Sequence, residues 1–393
     1  MALACCLAAS LGGVEVAELP DGSPAKLTVL GNGAFLRGQY ETAVSYYAKA
    51  HRADKAYFYS LFNLGLTHQK MAQAATSAEE RQDHYTMARN YFRDAVDLRR
   101  DNPEVHASLG VIAFQLQEYA LARTRFGNAV EAAIKPAEKA GYLYNLATAH
   151  EQLGDLSAAR AAYEKCLALD ERHFQAHYNL GTLHMRLKRP DLAESHLRRA
   201  HEADPRRPEP LLNLAVLAER GQGRGEAHAL YTKAVQVATA HRPSMLTRAL
   251  WHRARYYRRA SIPGVPTKVL MKEDLQQILE RDPDFAEANG LLGEYYESLA
   301  EYDKAIVHLE REIAGENFDP HSETDLRAHF RLAIIYSEHR RNEDKALEHV
   351  TAYSRLRPGA ATALRERALR IFGDDEPSTT PEQPPSTESA RDG

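Results

Sequence analysis

Small and apolar residues recur along this chain with a period of 34 residues. Three consecutive segments superimpose without gaps, and their leucines are Leu146, Leu180 and Leu214. The same register continues, at longer intervals, at Leu30, Leu64, Leu109, Leu292 and Leu332. Thirteen positions after most of these leucines stands a small residue: Ala43, Ala122, Ala159, Ala193, Ala227 and Ala305. Four positions further on is a larger one: Tyr47, Phe126, Tyr163, Leu197, Tyr231 and Leu309. Self-similarity at a fixed period indicates a repeat architecture.

The spacing predicts that each repeat is a pair of packed antiparallel helices. Leu-Gly or Leu-Ala in the first helix supplies a large side chain beside a gap, and the small residue of the second helix lets the two backbones approach closely. The larger residue one turn later fills the remaining space. A second small residue follows seven positions after the first, at Ala50, Ala129, Cys166, Ala200 and Ala234. Each hairpin leaves an apolar face that only a neighbouring hairpin can cover, so the repeats must stack.

These residues resemble the tetratricopeptide repeat, whose pattern W-x2-L-G-x2-Y, then A-x3-F, then P, fits the chain repeatedly. The resemblance implies an all-α fold, a right-handed α-solenoid of stacked helix-turn-helix repeats. Repeats begin near residues 24, 58, 103, 140, 174, 208, 242, 286 and 326. The repeat over 242–285 lacks the Leu-Gly step, and that over 326–360 has one extra residue. The second repeat holds 11 additional residues without Gly or Pro, which predicts that both of its helices are longer.

We therefore expect an N-terminal segment over 1–23, a solenoid over 24–360 and a capping helix over 361–373. The segment 374–393 is acidic, contains four prolines and has no aromatic residue, which is typical of a disordered tail. It carries six acidic side chains and one arginine, so the net charge of -4 becomes +1 without it. A body so close to neutrality has no overall field to attract nucleic acid or an anionic membrane.

The three cysteines, Cys5, Cys6 and Cys166, cannot form a disulfide framework, and this favours the cytoplasm. The apolar start of the chain leaves a cleaved signal peptide or palmitoylation of Cys5 and Cys6 as alternatives. Beyond it, no stretch approaches 18 uninterrupted apolar residues, so no membrane span is expected.

Sequence motifs for catalysis are missing from the chain, which has no GxxxxGK[ST], HExxH, GxSxG or CxxC. The glycines of GQGRG at 221–225 have the wrong spacing for a dinucleotide loop and fit a turn between helices. His173 and His177 have metal-ligand spacing, but their repeat positions favour packing. The other candidate histidines, His68, His150 and His184, occupy the tyrosine position of the repeat, where a half-buried ring is needed. We expect no enzyme activity, metal, cofactor or small-molecule substrate.

Basic and aromatic residues alternate over 251–259, as they would in a nucleic-acid interface. On a helix they separate into a solvated side and a core side, which is the interpretation we favour. Nucleic acid is therefore not an expected partner.

In the tetratricopeptide-repeat family the first helix of each repeat lines an inner groove. Counting the signature leucine as position 7, the resemblance implies that positions 2, 5, 6, 9, 12 and 13 face a bound segment. Position 6 is asparagine in four repeats: Asn63, Asn145, Asn179 and Asn213. An amide offers both a donor and an acceptor, so it can hold one peptide unit of an extended chain. The neighbours expected to choose its sequence are Tyr144, Thr148, Tyr178, Thr182 and Arg186. The alternative is that the asparagines hydrogen-bond the adjacent repeat.

The sequence thus predicts a non-enzymatic scaffold or adaptor that holds peptide segments of partner proteins in the groove. The alternative is a constitutive structural subunit of a large assembly, of the ciliary or transport-particle type, whose partners use the rims and ends. A chaperone-tail clamp is disfavoured. Asn32 and Asn63 fit that clamp, but its cationic positions hold Thr28, Glu104 and Ser108, which would hold a carboxylate poorly.

Overall fold

A computed structural model of the chain describes residues 19–314 and 323–356. The proposed capping helix over 361–373 and the acidic tail over 374–393 lie outside the described residues, as does most of the N-terminal segment. The chain divides into two compact units, unit 1 over residues 1–205 and unit 2 over residues 206–393. The described residues form α-helices and no strand, and an isolated bridge joins Ile262 to Val265. The all-α prediction is confirmed.

Unit 1 consists of five helical hairpins. In chain order its helices are α1 (Pro24–Leu36), α2 (Tyr40–Ala53), α3 (Phe58–Ala74), α4 (Ala78–Leu98), α5 (Pro103–Gln115), α6 (Tyr119–Ala132), α7 (Pro136–Gln152), α8 (Leu156–Leu169), α9 (Phe174–Arg186) and α10 (Pro190–Ala203). Each helix packs on the helices before and after it in the sequence, and the first helices of several successive hairpins also touch. Consecutive hairpins therefore stack, as the solenoid prediction requires.

Unit 2 contains four hairpins of the same kind. Its helices are α11 (Glu209–Arg220), α12 (Arg224–His241), α13 (Leu246–Arg259), α14 (Thr267–Arg281), α15 (Ala286–Ser298), α16 (Tyr302–Ala314), α17 (Glu323–Ile334) and α18 (Glu343–Leu356). A 3-10 turn over Pro243–Met245 precedes α13, and a π-helical turn over Ile335–His339 follows α17. These two irregular hairpins are the two whose sequences match the repeat poorly.

The closest contact in most hairpins lies between a glycine of the first helix and a large side chain of the second. A Cβ atom built on Gly65 would lie 2.6 Å from the Phe92 ring, and one built on Gly110 would lie 2.7 Å from the Phe126 ring. Gly181 approaches Leu197 in the same way, at 2.8 Å. Only a residue without a side chain fits there, which confirms the gap and filler predicted from the repeat spacing.

Local signals set the helix ends. Ser23 and Asp155 accept hydrogen bonds from the backbone N–H groups of Lys26 and Ala158, so each caps the start of a helix. The turn inside each hairpin contains one residue in the left-handed region, a glycine at Gly38 and Gly154. Gly221 and Gly223 flank the turn between α11 and α12, which confirms that the GQGRG glycines belong to a turn.

The second hairpin is longer than the others, as predicted. Its helices α3 and α4 contain 17 and 21 residues, whereas α9 and α10 contain 13 and 14. Ser77 caps α4 by accepting a hydrogen bond from the N–H of Glu80 at 3.1 Å. The insertion therefore extends the hairpin rather than forming a loop.

Candidate functional site

The first helices α7 and α9 carry the side chains that the sequence assigns to the groove of unit 1. Tyr144 is half-buried, with its ring centroid 5.1 Å from His173 and 5.9 Å from Tyr163. Tyr178 is also half-buried and stacks on Phe174 at 6.0 Å. Together these rings form an apolar surface with polar edges, which suits a peptide ligand.

The two threonines predicted to contact a ligand use their hydroxyl protons on their own helices. Thr148 donates to the carbonyl oxygen of Asn145, and Thr182 donates to that of Asn179, both at 2.8 Å. A ligand would therefore meet these hydroxyls as acceptors only.

Asn179 links two successive hairpins. Its Nδ2 donates to the Tyr163 hydroxyl at 3.1 Å and, more weakly, to the Tyr144 hydroxyl at 3.4 Å. The Tyr163 hydroxyl in turn donates to Glu151 Oε2 at 2.6 Å, and Arg186 donates to Glu151 Oε1 at 3.3 Å. Burial, reinforced by the adjacent Glu151 carboxylate, raises the pKa of Tyr163, so its hydroxyl stays protonated. The amide of Asn179 thus has a structural partner in the preceding repeat.

Asn63 makes an equivalent bridge and is almost completely buried. Only 2% of its surface is exposed, and its Nδ2 donates to Asn32 Oδ1 at 3.1 Å. Asn32 Oδ1 also accepts from the Tyr47 hydroxyl at 2.8 Å. Asn63 therefore holds two hairpins together, as the alternative interpretation of the asparagines expects.

Asn145 and Asn213 differ from these two. Both are half-buried, and neither side-chain amide makes a hydrogen bond to any residue that the structure describes. For Asn145 the reason is chemical: the filler residue of the preceding hairpin is Phe126, which has no hydroxyl to pair with an amide. At these two positions the amide remains available to a ligand.

Unit 2 contains a different kind of site, an arginine-lined pocket of about 430 Å³ between its first helices α13, α15 and α17. Its basic and aromatic lining residues are Trp251, Arg255, Arg258, Arg259, Arg327 and Arg331, and its acidic ones are Glu287, Glu294 and Glu312. We call it the arginine pocket. Sequence analysis identified the α13 cluster but assigned it no binding role, because Arg327 and Arg331 lie more than 60 residues further along the chain.

Charges in the arginine pocket are only partly neutralised. Glu294 pairs with Arg258 at 2.9 Å and with Arg331 at 3.1 Å, and Arg331 also pairs with Glu297. Arg259 and Arg327 are exposed and form no ion pair with any described residue.

Arg255 lies over the ring of Trp251, with its guanidinium carbon 5.9 Å from the centroid. It also forms no ion pair with the described part of the chain. Three guanidinium groups therefore line the pocket without an acidic partner.

A family model for the tetratricopeptide repeat matches residues 72–138, 144–208 and 272–320. Its matches cover hairpins in both units, and the leucine, glycine and alanine contacts described above are those of this repeat. The chain is a tetratricopeptide-repeat protein. Such repeats are protein-interaction modules, so it is in general terms a protein-interaction scaffold.

Several solved structures are similar to this tetratricopeptide-repeat protein. PilF of Pseudomonas aeruginosa is 18% identical, with 58% of this chain and 98% of that chain covered and a TM-score of 0.46. MamA of Desulfovibrio magneticus RS-1 is 22% identical, with 47% and 97% covered and a TM-score of 0.42. YrrB, described as a repeat protein with an unusual peptide-binding site, is 19% identical, with 52% and 96% covered and a TM-score of 0.40. No curated protein matches the chain.

The histidines of this tetratricopeptide-repeat protein serve packing, as predicted. His177 and His196 approach at 3.1 Å between Nδ1 atoms, and His184 stacks on His196. Burial, with a smaller contribution from His177, lowers the pKa of His196 to about 4. His173 caps α9 by accepting from the N–H of Ala176. The described residues contain no group of three or more His, Cys, Asp or Glu side chains that could hold a metal ion.

Two further observations concern chemistry and membranes. Burial raises the pKa of the Cys166 thiol to about 12, so this cysteine is not a thiolate near neutral pH. Among the described residues, no helix combines the length and the apolar character needed to cross a membrane.

Proposed function

We propose that the protein is a non-enzymatic adaptor that holds extended peptide segments of partner proteins on the inner faces of its first helices. The observation that carries the proposal is the contrast among the four groove asparagines. Asn63 and Asn179 use their amides to bridge hairpins, whereas the half-buried amides of Asn145 and Asn213 bind no described residue. A polar group left without a partner on a concave surface is suited to a polar ligand.

An amide is a good contact for a peptide backbone because its NH2 group and its oxygen match the carbonyl and N–H of one peptide unit. Such contacts hold an extended segment whatever its side chains are. Selectivity would come from the neighbouring side chains, in particular the half-buried rings of Tyr144 and Tyr178 and the exposed guanidinium of Arg186.

We propose the cytoplasm as the location, because Cys166 is a buried free thiol and free thiols persist in reducing compartments. Neither a cofactor nor a small-molecule substrate is part of this function.

Site-specific photocrosslinking in native cells tests the proposal. A benzoylphenylalanine placed at Tyr178 should crosslink to partner peptides that mass spectrometry can identify. The same probe at Glu164, an exposed residue on the second helix α8, is the control and should give no such peptides.

An affinity measurement with the peptide so identified then tests the amides. Replacing Asn145 and Asn213 by Ala removes hydrogen bonds of about 1 kcal/mol each, so affinity should fall roughly tenfold to thirtyfold. Asn90→Ala on the exposed face of α4 should leave affinity unchanged. Crosslinks from Glu164 alone, or unchanged affinity in the double variant, would place the partners on the rims and favour a constitutive structural subunit.

A further inference from the structure

The arginine pocket of unit 2 has more positive than negative charge. Five arginines and three glutamates line it, and Glu297 just outside also pairs with Arg331. Glu294 is shared between Arg258 and Arg331, while Arg255, Arg259 and Arg327 have no acidic partner among the described residues. The pocket opens between first helices, on the same type of surface that carries the groove asparagines.

Two of the pocket's acids do not reverse this balance. Glu312 is buried, and its carboxylate fills the space beside Gly290, where a built Cβ atom would lie 2.1 Å from Oε1. Glu287 is exposed and forms no ion pair with a described residue. A cationic ligand would meet the surplus guanidinium groups, whereas an anionic one would neutralise them.

Planar guanidinium groups bind carboxylates in a bidentate fork, and several of them in one pocket suit a ligand with several carboxylates. The Trp251 ring, which lies against Phe285 at 5.5 Å, adds an apolar wall beside Arg255. These features together fit a short acidic peptide.

This chain itself contains such a peptide. The segment 374–393 holds six acidic side chains against one arginine, and it begins with the consecutive acids Asp374, Asp375 and Glu376. Only 17 residues separate Asp374 from Leu356, the last residue of α18, and a chain of that length can span up to about 60 Å. Helix α18 belongs to the hairpin whose first helix carries Arg327 and Arg331, so the acidic segment is tethered close to the pocket.

We propose that the arginine pocket binds acidic peptide and that its occupant is segment 374–393 of this same chain. Tethering presents the segment at an effective concentration in the millimolar range, so even a weak intrinsic affinity would fill the pocket. A bound segment would cover the inner surface of α13, α15 and α17, and a partner would have to displace it. This goes beyond the proposed adaptor function and can fail while that function stands.

The test uses the full chain and a fluorescein-labelled synthetic peptide with the sequence of residues 374–393. In one variant the six acids of the segment are neutralised by D374N, D375N, E376Q, E382Q, E388Q and D392N, which frees the pocket. Fluorescence anisotropy at low salt should show that this variant binds the labelled peptide about tenfold more tightly than the wild type, whose own segment competes. Raising the salt concentration should weaken binding, because the contact is between charges.

The pocket is tested by adding two substitutions to the neutralised variant. Arg259→Ala and Arg327→Ala remove exposed, unpaired guanidinium groups, and together they should reduce affinity at least about tenfold. Arg281→Ala and Arg311→Ala are the matched control, since they remove the same charge from exposed positions on second helices. The control should change affinity less than about twofold, and circular dichroism should be the same for all variants.

Three results would overturn the proposal. Equal affinity of the wild type and the neutralised variant would mean that the pocket accepts acidic peptides from a partner rather than its own segment. Equal losses in the Arg259/Arg327 and Arg281/Arg311 variants would mean nonspecific charge attraction. No binding by any variant would mean that the pocket does not take acidic peptide.

Discussion

Units 1 and 2 are built from the same helical hairpin but fill one core position differently. Seven positions after the first small residue of the second helix, all five hairpins of unit 1 carry a fully buried Ala or Cys: Ala50, Ala95, Ala129, Cys166 and Ala200. Two hairpins of unit 2 carry an acid there, Asp274 on α14 and Glu312 on α16, and both are buried. The difference shows that this repeat accepts a charge in its core when the first helix provides for it.

The two acids are accommodated in different ways. Asp274 receives two hydrogen bonds from Arg253, at 2.6 and 2.9 Å, and Arg253 stands at the position that leucine holds in the regular repeats. Glu312 instead lies beside Gly290, which leaves space for its carboxylate. A leucine-alanine contact has thus become an ion pair in one hairpin, and a cavity beside glycine in the next.

The same comparison extends to the groove. The groove side chains of unit 1 are amides, hydroxyls and tyrosines, and several of them bond to one another. The groove of unit 2 is lined by arginines and glutamates, which read charge. We infer that the two units select different classes of peptide.

The largest effect should come from breaking the buried ion pair. Asp274→Ala leaves the Arg253 guanidinium buried without its partner, and we expect the free energy of unfolding to fall by about 3 to 5 kcal/mol. Restoring the regular contact with the double variant Arg253→Leu/Asp274→Ala should recover that loss or exceed it. Urea denaturation of the two single variants and the double variant measures the coupling. If Asp274→Ala costs less than about 1 kcal/mol, the pair contributes little to the stability of unit 2.

Acidification should destabilise both units through their buried histidine pairs. Burial lowers the pKa values of His68 and His196 in unit 1 and of His349 in unit 2 to about 4. The unfolded chain then binds more protons, so stability is complete above about pH 6.5 and falls as the pH drops toward 4. At pH 5 we expect a loss of about 2 kcal/mol for each of these histidines, measured by denaturation at pH 7.5 and pH 5.0.

A tyrosine at one of these positions provides the control. His68→Tyr restores the ring that is usual in this repeat and cannot take up a proton. Its stability should therefore fall less between pH 7.5 and pH 5.0 than that of the wild type. An equal fall would show that the buried pair does not govern the acid response.

Two glycines in one hairpin of unit 1 should respond in opposite directions. Gly110→Ala places a Cβ atom against the Phe126 ring, and overpacking of this kind costs about 1 to 3 kcal/mol. Gly127 lies inside helix α6 with open space around it, so Gly127→Ala should stabilise the protein by up to about 1 kcal/mol. Thermal melting of the two variants side by side checks both signs. Two destabilising results would mean that the regular contact of unit 1 is tight along both helices.

The smallest effect separates the two kinds of groove asparagine. Asn179→Ala removes the bridge to Tyr163 and should lower the free energy of unfolding by about 1 kcal/mol. Asn145→Ala removes no intramolecular hydrogen bond, so the change should stay within about 0.5 kcal/mol. A larger loss for Asn145→Ala, in the same denaturation series, would assign it a structural role and weaken the proposed function.

The sequence by itself determined the repeat and its hairpins. The period of 34 residues, the leucines and the alanines predicted helix pairs in the right places, because the contacts that close one hairpin connect residues close together in the chain. The eleven additional residues of the second repeat, which lack Gly and Pro, predicted the longer helices α3 and α4 for the same reason.

Only the tertiary structure decided how these positions are used. Whether a groove asparagine is bridged depends on the preceding repeat, where Tyr163 offers a hydroxyl to Asn179 and Phe126 offers none to Asn145. The Arg253–Asp274 pair was not predicted, because α13 lacks the Leu-Gly step that sets the register. The arginine pocket combines side chains of three helices distant in sequence, and no local pattern records which of its charges pair with one another.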